Sequence, residues 1–106
     1  MRRIPRGGAL YTSGVWIVKD GREEEFARRW QESVDGLSLD FPGVKFMLLR
    51  DDDEPRRFVS LVEGWRNREQ IETARAMPSY QDSMAAVWRV LESGEISTLA
   101  LVAEVS

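Results

Sequence analysis

The residues that usually carry out proton transfer, nucleophilic attack and metal binding are scarce in this chain. It contains no histidine and no cysteine. The first absence removes the usual general base, the commonest nitrogen ligand of metals and the proximal haem ligand. The second removes thiolate chemistry and disulfides. There is also no glycine-rich phosphate loop. Most nucleotide and metal chemistries are therefore not expected, and no cofactor is predicted.

An acidic run, Asp51-Asp52-Asp53-Glu54, is the strongest candidate for a cation site. Calcium and magnesium ions bind carboxylate oxygens, but a calcium loop alternates its ligands and contains a glycine that this run lacks. The favoured interpretation is therefore a solvated hairpin tip, and no metal site is predicted here.

Aromatic side chains are the more informative group. Four tryptophans occur in 106 residues, namely Trp16, Trp30, Trp65 and Trp88. Trp30 and Trp88 fall on apolar stripes of predicted helices, which favours core packing. Trp65 follows Gly64 at the end of a predicted strand, where an indole can either wall a pocket for a flat apolar ligand or pack in the core.

Polar residues that can converge near the same end are Arg50, Asn67, Arg75 and Tyr80. Arg75 can orient an anionic group of a substrate. Asn67 precedes Gln70 by three residues, the spacing of a helix-capping box, so a capping role is the alternative for it. Each of the others can equally be an ordinary surface residue.

The elements that must position these residues follow from hydrophobic periodicity and turn signals. Asp20 and Glu23 have capping-box spacing, and Phe26, Trp30, Val34 and Leu37 form one helical stripe. Pro78 can occupy the first turn of a later helix and Gly94 can end it. The sequence predicts strands over 10–18, 44–50, 57–63 and 96–105, a helix over 21–39, and a broken helix from Asn67 to Gly94.

This β-α-β-β-α-β order predicts an α+β, ferredoxin-like fold with a four-stranded antiparallel sheet. Both alternating sets of residues in the strands are apolar; Val59 and Leu61, for example, fall on the same set. One face can pack against the helices. The apolar area of the other face is larger than the apolar patch that a soluble monomer normally exposes. We therefore expect a homodimer formed through the sheet faces.

Composition limits the partners and the compartment. The chain has room for one domain, expected over residues 10–106, behind a flexible basic arm over residues 1–9. The net charge of −3 gives no field that attracts nucleic acid. No apolar run is long enough to cross a bilayer, and the first residues lack the apolar core of a secretory signal. We expect a cytoplasmic protein with no nucleic-acid or membrane partner.

Several short motifs resemble the antibiotic biosynthesis monooxygenase superfamily of dimeric α/β barrels, over roughly residues 10 to 105. They are Val15 to Phe26, Phe41-Pro42-Gly43, Leu48 to Asp51, Pro55 to Ser60, and Trp65. Members similar to this chain include cofactor-independent monooxygenases of polycyclic aromatic polyketides, haem-degrading enzymes and quinol monooxygenases. The motifs are mostly structural, so the resemblance is more specific for fold than for activity.

The resemblance also implies roles for individual residues. Trp65 matches the pocket tryptophan of the polyketide-oxidising and haem-degrading branches. The first-strand asparagine of the haem-degrading members is Gly14 here, and their haem-ligating histidine has no counterpart. Haem degradation is therefore not expected.

Two functions remain open. The first is cofactor-independent oxygenation of a small aromatic or polyketide substrate, because an electron-rich phenolate can itself supply the electron to O₂. Its catalytic candidates are Trp65, Arg75 and Tyr80, with no identified general base, and its expected substrate contacts are Gly14, Trp16, Arg50, Asn67 and Trp88. The second is a non-catalytic dimeric module that binds a small hydrophobic molecule.

Overall fold

A computed structural model of the chain describes residues 2–3 and 9–106. In chain order its elements are β1 (Arg2–Arg3), β2 (Leu10–Val18), α1 (Glu23–Asp40), β3 (Lys45–Arg50), β4 (Arg57–Trp65), α2 (Arg68–Ala76), α3 (Pro78–Trp88), β5 (Leu91–Ala100) and β6 (Glu104–Val105). The main sheet is antiparallel with strand order β3-β4-β2-β5. The ferredoxin-like α+β fold is confirmed, with its second helix divided into α2 and α3.

The two short strands form a separate antiparallel pair. Arg2 is paired with Val105 and Arg3 with Glu104. Of the other residues of the expected flexible arm, residues 1 and 4–8 lie outside the described residues. Residue 9 is described and has no regular structure. None of the helices in the described ranges combines the length and the apolar character needed to cross a bilayer.

Helix α1 packs as its apolar stripe predicts but begins differently. The stripe residues Phe26, Trp30, Val34 and Leu37 are all buried. The helix begins at Glu23, close to the predicted start, but the predicted capping box is wrong, because the N-cap is Arg22 and makes no side-chain cap. The Glu23 carboxylate instead accepts a hydrogen bond from the Gly21 amide at 3.2 Å. Three glutamates in the first turn provide negative charge at the positive end of the helix dipole.

The later helices begin as predicted, whereas their end does not match the prediction. Asn67 caps α2 by accepting from the Gln70 amide at 2.8 Å, and Pro78 lies in the first turn of α3. The helix ends at Trp88 rather than at Gly94. The last strand starts at Leu91, five residues before the predicted position, and ends at Ala100.

Gly94 therefore has a packing role inside β5. It is paired with Trp16 of β2. A β-carbon there would lie 2.7 Å from Cη2 of Trp88 and 2.8 Å from Cε3 of Trp16, which is closer than real β-carbons approach. The glycine lets two indoles approach the backbone.

Both faces of the sheet carry apolar residues, as the alternation predicts. Residues of β2 that face the helices, Thr12, Gly14, Trp16 and Val18, are buried. The opposite face carries eight larger apolar residues, namely Tyr11, Val15, Ile17, Met47, Leu49, Val59, Leu61 and Leu99. Every one of these is at least partly accessible to solvent. This face is the surface on which the dimer prediction rests.

Candidate functional site

A cavity of about 150 Å³ lies between the helices and the sheet. It separates two clusters of the core, one built around Trp16 and Phe26 and the other around Trp65 and Ile71. Tyr80 packs against both clusters and lines the cavity. The cavity is thus a space between the two clusters that their side chains do not fill.

Trp65 forms one wall of this cavity. The residue before it, Gly64, has a φ of 95°, a conformation that glycine adopts without strain. The register between β4 and β2 shifts here, so that Trp65 is paired with Leu10 and Val62 with Thr12. The side chains of Trp65 and Val62 are both buried. The Trp65 indole packs edge-to-face on Phe41 with ring centroids 5.8 Å apart. Trp65 is therefore both a core residue and a pocket wall, so the two interpretations of its position are compatible.

Trp16 forms the floor. Its indole lies over two glycines, Gly14 and Gly94, since a β-carbon on either would collide with its ring. The ring packs edge-to-face against Trp88 at a centroid distance of 5.8 Å. Trp16 and Trp88, two of the expected substrate contacts, line the cavity, whereas Gly14 lies beneath the indole and is not among the lining residues.

The cavity is open to solvent between α3 and β5. Trp88 and Ile96 line this side and are 42% and 48% exposed. Arg75 lines the cavity as well, and its Nη2 donates to Oγ1 of Thr98 on β5 at 3.4 Å. A positive charge therefore stands on an exposed side chain beside a cavity whose lining is mostly apolar.

Tyr80 is the second titratable group of the cavity. Burial raises the pKa of its hydroxyl, and the nearby charge of Arg75 partly opposes this rise. The hydroxyl consequently stays protonated at neutral pH and can act as a hydrogen-bond donor rather than a base. Among the described residues that line the cavity, Arg75 and Tyr80 are the titratable ones.

Two predicted site residues lie outside the cavity lining. Arg50 donates from Nε to the Pro55 carbonyl at 2.8 Å, and its guanidinium lies 5.4 Å from the centroid of the Phe58 ring. Asn67 is occupied by the cap of α2. The structure therefore brings together Trp16, Trp65, Arg75, Tyr80 and Trp88, and leaves Arg50 and Asn67 apart.

The acidic run lies in the turn between β3 and β4. The Asp51 carboxylate accepts hydrogen bonds from the amides of Asp53 and Glu54, and it also pairs with Arg57 at 3.0 Å. These contacts lower the pKa of Asp51, with the amide hydrogen bonds as the largest cause. Within residues 2–3 and 9–106, no three acidic, histidine or cysteine side chains form a group that can hold a metal ion.

Sequence reasoning did not identify most of the residues that line the cavity, among them Thr12, Ser60 and Trp30. Thr12 and Trp16 lie on the same face of β2, because side chains alternate along a strand. The position of Thr12 beside the cavity could therefore have been predicted from that of Trp16. Ser60 is opposite Gly14 in the pairing of β4 with β2. The helical stripe predicts Trp30 as a core residue only. The side chain is buried, with 8% of its surface exposed, and it also lines the cavity.

Comparison with known proteins agrees with this fold. A model of the antibiotic biosynthesis monooxygenase family matches residues 14–86. The structure of SnoaB from Streptomyces nogalater, a cofactor-independent oxygenase, is similar with a TM-score of 0.76 and 18% identity, covering 88% of this chain and 92% of that one. A protein from Shewanella oneidensis has a TM-score of 0.79 and 18% identity, covering 96% and 98%. A third structure, from Nitrosomonas europaea, has a TM-score of 0.72 and 24% identity, covering 88% and 90%. No curated protein sequence matches the chain significantly.

Proposed function

The chain belongs to the antibiotic biosynthesis monooxygenase family, and on this premise we propose that it is a cofactor-independent monooxygenase of a small phenolic aromatic compound. The observation that carries the proposal is the tryptophan-walled cavity, which has one cation and one neutral phenol at its border. Flat aromatic rings pack well against indoles. The similarity in fold to the SnoaB oxygenase supports the same reaction class.

The size of the cavity favours a substrate with one or two fused rings. Its volume is about 150 Å³. An apolar protein cavity of about 150 Å³ holds benzene, whereas pockets for drug-sized ligands occupy roughly 300 to 1,000 Å³. A larger polyketide would have to extend through the open side past Trp88 and Ile96. The reacting ring is therefore expected to be small.

The proposed reaction begins with ionisation of the phenol. Arg75 stabilises the phenolate, and the proton leaves to solvent through the open side. The phenolate transfers one electron to O₂, and the resulting radical pair combines to form a carbon–oxygen bond. The peroxide takes up a proton from solvent and loses water together with the hydrogen of the oxygenated carbon, which leaves a second carbonyl, so that phenol and O₂ give quinone and water. The substrate is oxidised and O₂ is the oxidant.

This proposal is tested by oxygen uptake with single-ring and naphthalene-type phenols, without added flavin or metal. We expect uptake by the unmodified protein and a roughly tenfold slower rate in Arg75→Gln, below the 10²- to 10³-fold loss typical of a buried donor because Arg75 is exposed. Trp65→Ala is expected to reduce the rate further through loss of the wall. Arg66→Gln, an exposed arginine outside the cavity lining, is the control. No uptake with any phenol of the panel contradicts the proposal.

One observation favours a second candidate function. Among the described cavity-lining residues there is no carboxylate, histidine or lysine that can remove the phenol proton. A non-catalytic module that binds a small hydrophobic molecule needs none. Quenching of tryptophan fluorescence by an arene that is recovered chemically unchanged supports this second function, and detection of an oxidised product excludes it.

We also propose that two copies of the chain associate through their sheet faces. The face turned away from the helices carries the eight apolar side chains named above, and covering such a face removes apolar surface from water. A closed two-fold pairing of identical faces is the commonest way to do so. The cavity lies on the other side of the sheet, so the proposed dimer leaves its opening accessible.

A further inference from the structure

Two buried hydroxyl groups border the cavity and use only their acceptor capacity. Oγ1 of Thr12 accepts from the Trp65 indole N–H at 3.1 Å, and Oγ of Ser60 accepts from the Trp16 indole N–H at 3.0 Å. An indole N–H can only donate, so each hydroxyl is necessarily the acceptor. Thr12 is 8% exposed and Ser60 is 5% exposed. Over residues 2–3 and 9–106, neither hydroxyl donates its own proton to an acceptor.

A third buried hydroxyl shows the usual arrangement. Ser33 is 3% exposed, and its Oγ donates to the Trp30 carbonyl at 2.7 Å. Buried polar groups normally have their hydrogen-bonding capacity used in this way. Thr12 and Ser60 differ from Ser33 in lining the cavity. Their unused protons are therefore available where a ligand would lie.

We propose that Ser60 and Thr12 bind the oxygen substituents of a phenolic ligand by donating hydrogen bonds to them. The identification of the ligand as a phenol rests on the proposed function. A phenolate oxygen is a charged acceptor, and hydrogen bonds to charged acceptors are the stronger ones. Each indole N–H occupies a lone pair of its hydroxyl, which restricts the orientation of that hydroxyl and strengthens its remaining O–H as a donor.

The sheet places the two donors side by side. Thr12 pairs with Val62, and Ser60 pairs with Gly14, so the two hydroxyls are diagonal neighbours on β2 and β4. Trp16 and Trp65 surround them with apolar rings. In these surroundings a donated hydrogen bond is stronger than in water, and an unused donor is costly. The hydroxyls hold the ligand oxygen at the floor, whereas Arg75 acts from the open side.

The experiment compares two ligands of nearly the same shape, 4-nitrophenol and nitrobenzene, which differ by one hydroxyl. For Ser60→Ala we expect roughly tenfold to a hundredfold weaker binding of 4-nitrophenolate, the usual effect of losing a hydrogen bond to a charged group. The pKa of the bound phenol, read from its visible absorbance, rises correspondingly. Binding of nitrobenzene changes less than twofold. Thr12→Val, which keeps the side-chain shape, is the second variant, and Ser33→Ala is the matched control with no effect on either ligand.

The Ser60→Ala change also leaves the Trp16 N–H without its acceptor, so a second comparison separates the two effects. Trp16→Phe and the double variant Trp16→Phe/Ser60→Ala differ only in the hydroxyl. The proposal requires that the double variant bind 4-nitrophenolate more weakly than Trp16→Phe does. Equal affinities in this pair, or equal losses for nitrobenzene and 4-nitrophenolate in Ser60→Ala and Thr12→Val, overturn it.

The binding measurement does not depend on turnover. One result is that the unmodified protein consumes no O₂ while the hydroxyl variants still show a selective loss of 4-nitrophenolate binding. That result supports the hydroxyl site and contradicts only the proposed oxygenase. Oxygen uptake that is normal in both hydroxyl variants, together with unchanged phenolate binding, contradicts only the hydroxyl site. Failure of the unmodified protein to bind 4-nitrophenol at all overturns the inference.

Discussion

Hydrogen bonds between indoles and hydroxyls determine the chemistry that individual residues present to the cavity. Trp16 and Trp65 donate to Ser60 and Thr12, so the indoles offer ring faces and the hydroxyls offer protons. The position of Trp65 after Gly64 indicated either a pocket wall or a core residue, and the sequence alone did not decide between them. Ser60 was not predictable, because a serine on a strand has no local signature and its partner Trp16 is 44 residues away in the chain. Only the strand register brings such pairs together.

Gly14 offers a test of the floor at this scale. A β-carbon at residue 14 would collide with the Trp16 ring, so Gly14→Ala must displace the indole into the cavity. We expect the free energy of unfolding to fall by about 1 to 3 kcal/mol, as for overpacked cores, and arene binding to weaken. The control Gly36→Ala lies within α1, where nothing is close to the added carbon, and should raise stability by about 0.5 to 1 kcal/mol. Chemical denaturation measures both, and equal stability of the two variants contradicts the indole placement.

At the scale of elements, local patterns located the helices better than the last strand. The stripe of α1 and the cap of α2 depend on residues within a few positions of one another, and both were predicted. The start of β5 at Leu91 depends instead on pairing with Val18, a residue far away in sequence. Gly94 looked like a helix stop because its true function, room for the rings of Trp16 and Trp88, is a tertiary one.

The first turn of α1 predicts a dependence of stability on acid. Hydrogen bonds from Arg22 and Arg29 lower the pKa of Glu25 from its ordinary value near 4.5 to about 2. Because the unfolded state then binds the proton more readily, the stabilisation is present above pH 4.5 and is lost as the pH falls toward 2. Glu25→Gln should therefore have a lower melting temperature than the unmodified protein at pH 6. Near pH 2 the melting temperatures of the two proteins should be nearly equal.

Glu24→Gln is the control, since Glu24 is an exposed carboxylate of the same turn. The measured quantity is the difference in melting temperature between variant and unmodified protein at each pH. A difference that is constant from pH 6 to pH 2 for Glu25→Gln contradicts the role of the two arginines. The effect is expected to be modest and to decrease with salt, because both ion pairs of Glu25 lie at the protein surface, where solvent screens them.

At the scale of the whole molecule, the sheet separates the core from a second surface that is rich in apolar side chains. The helix side holds the core and the cavity. The other side carries neighbouring apolar pairs such as Val15 with Val59 and Leu49 with Val59. Alternation along the strands was enough to predict that both faces carry apolar residues, since the period of a strand assigns every second residue to the same face. It could not predict the cavity, because the cavity arises where two core clusters meet.

The dimer prediction belongs to this scale, and Val59 is the residue on which to test it. Val59 lies between Val15 and Leu49 on the face that we propose to be covered by a second copy. In Val59→Lys the two-fold pairing brings like charges into an apolar interface, at a cost that is high for unpaired buried charge. We expect the unmodified protein to have the mass of a dimer in light scattering at micromolar concentration and Val59→Lys that of a monomer. Leu39→Lys introduces the same charge at an apolar residue of α1 that is already 84% exposed, and it should leave the dimer intact. A monomeric unmodified protein contradicts the prediction, and so does a folded Val59→Lys variant that stays dimeric.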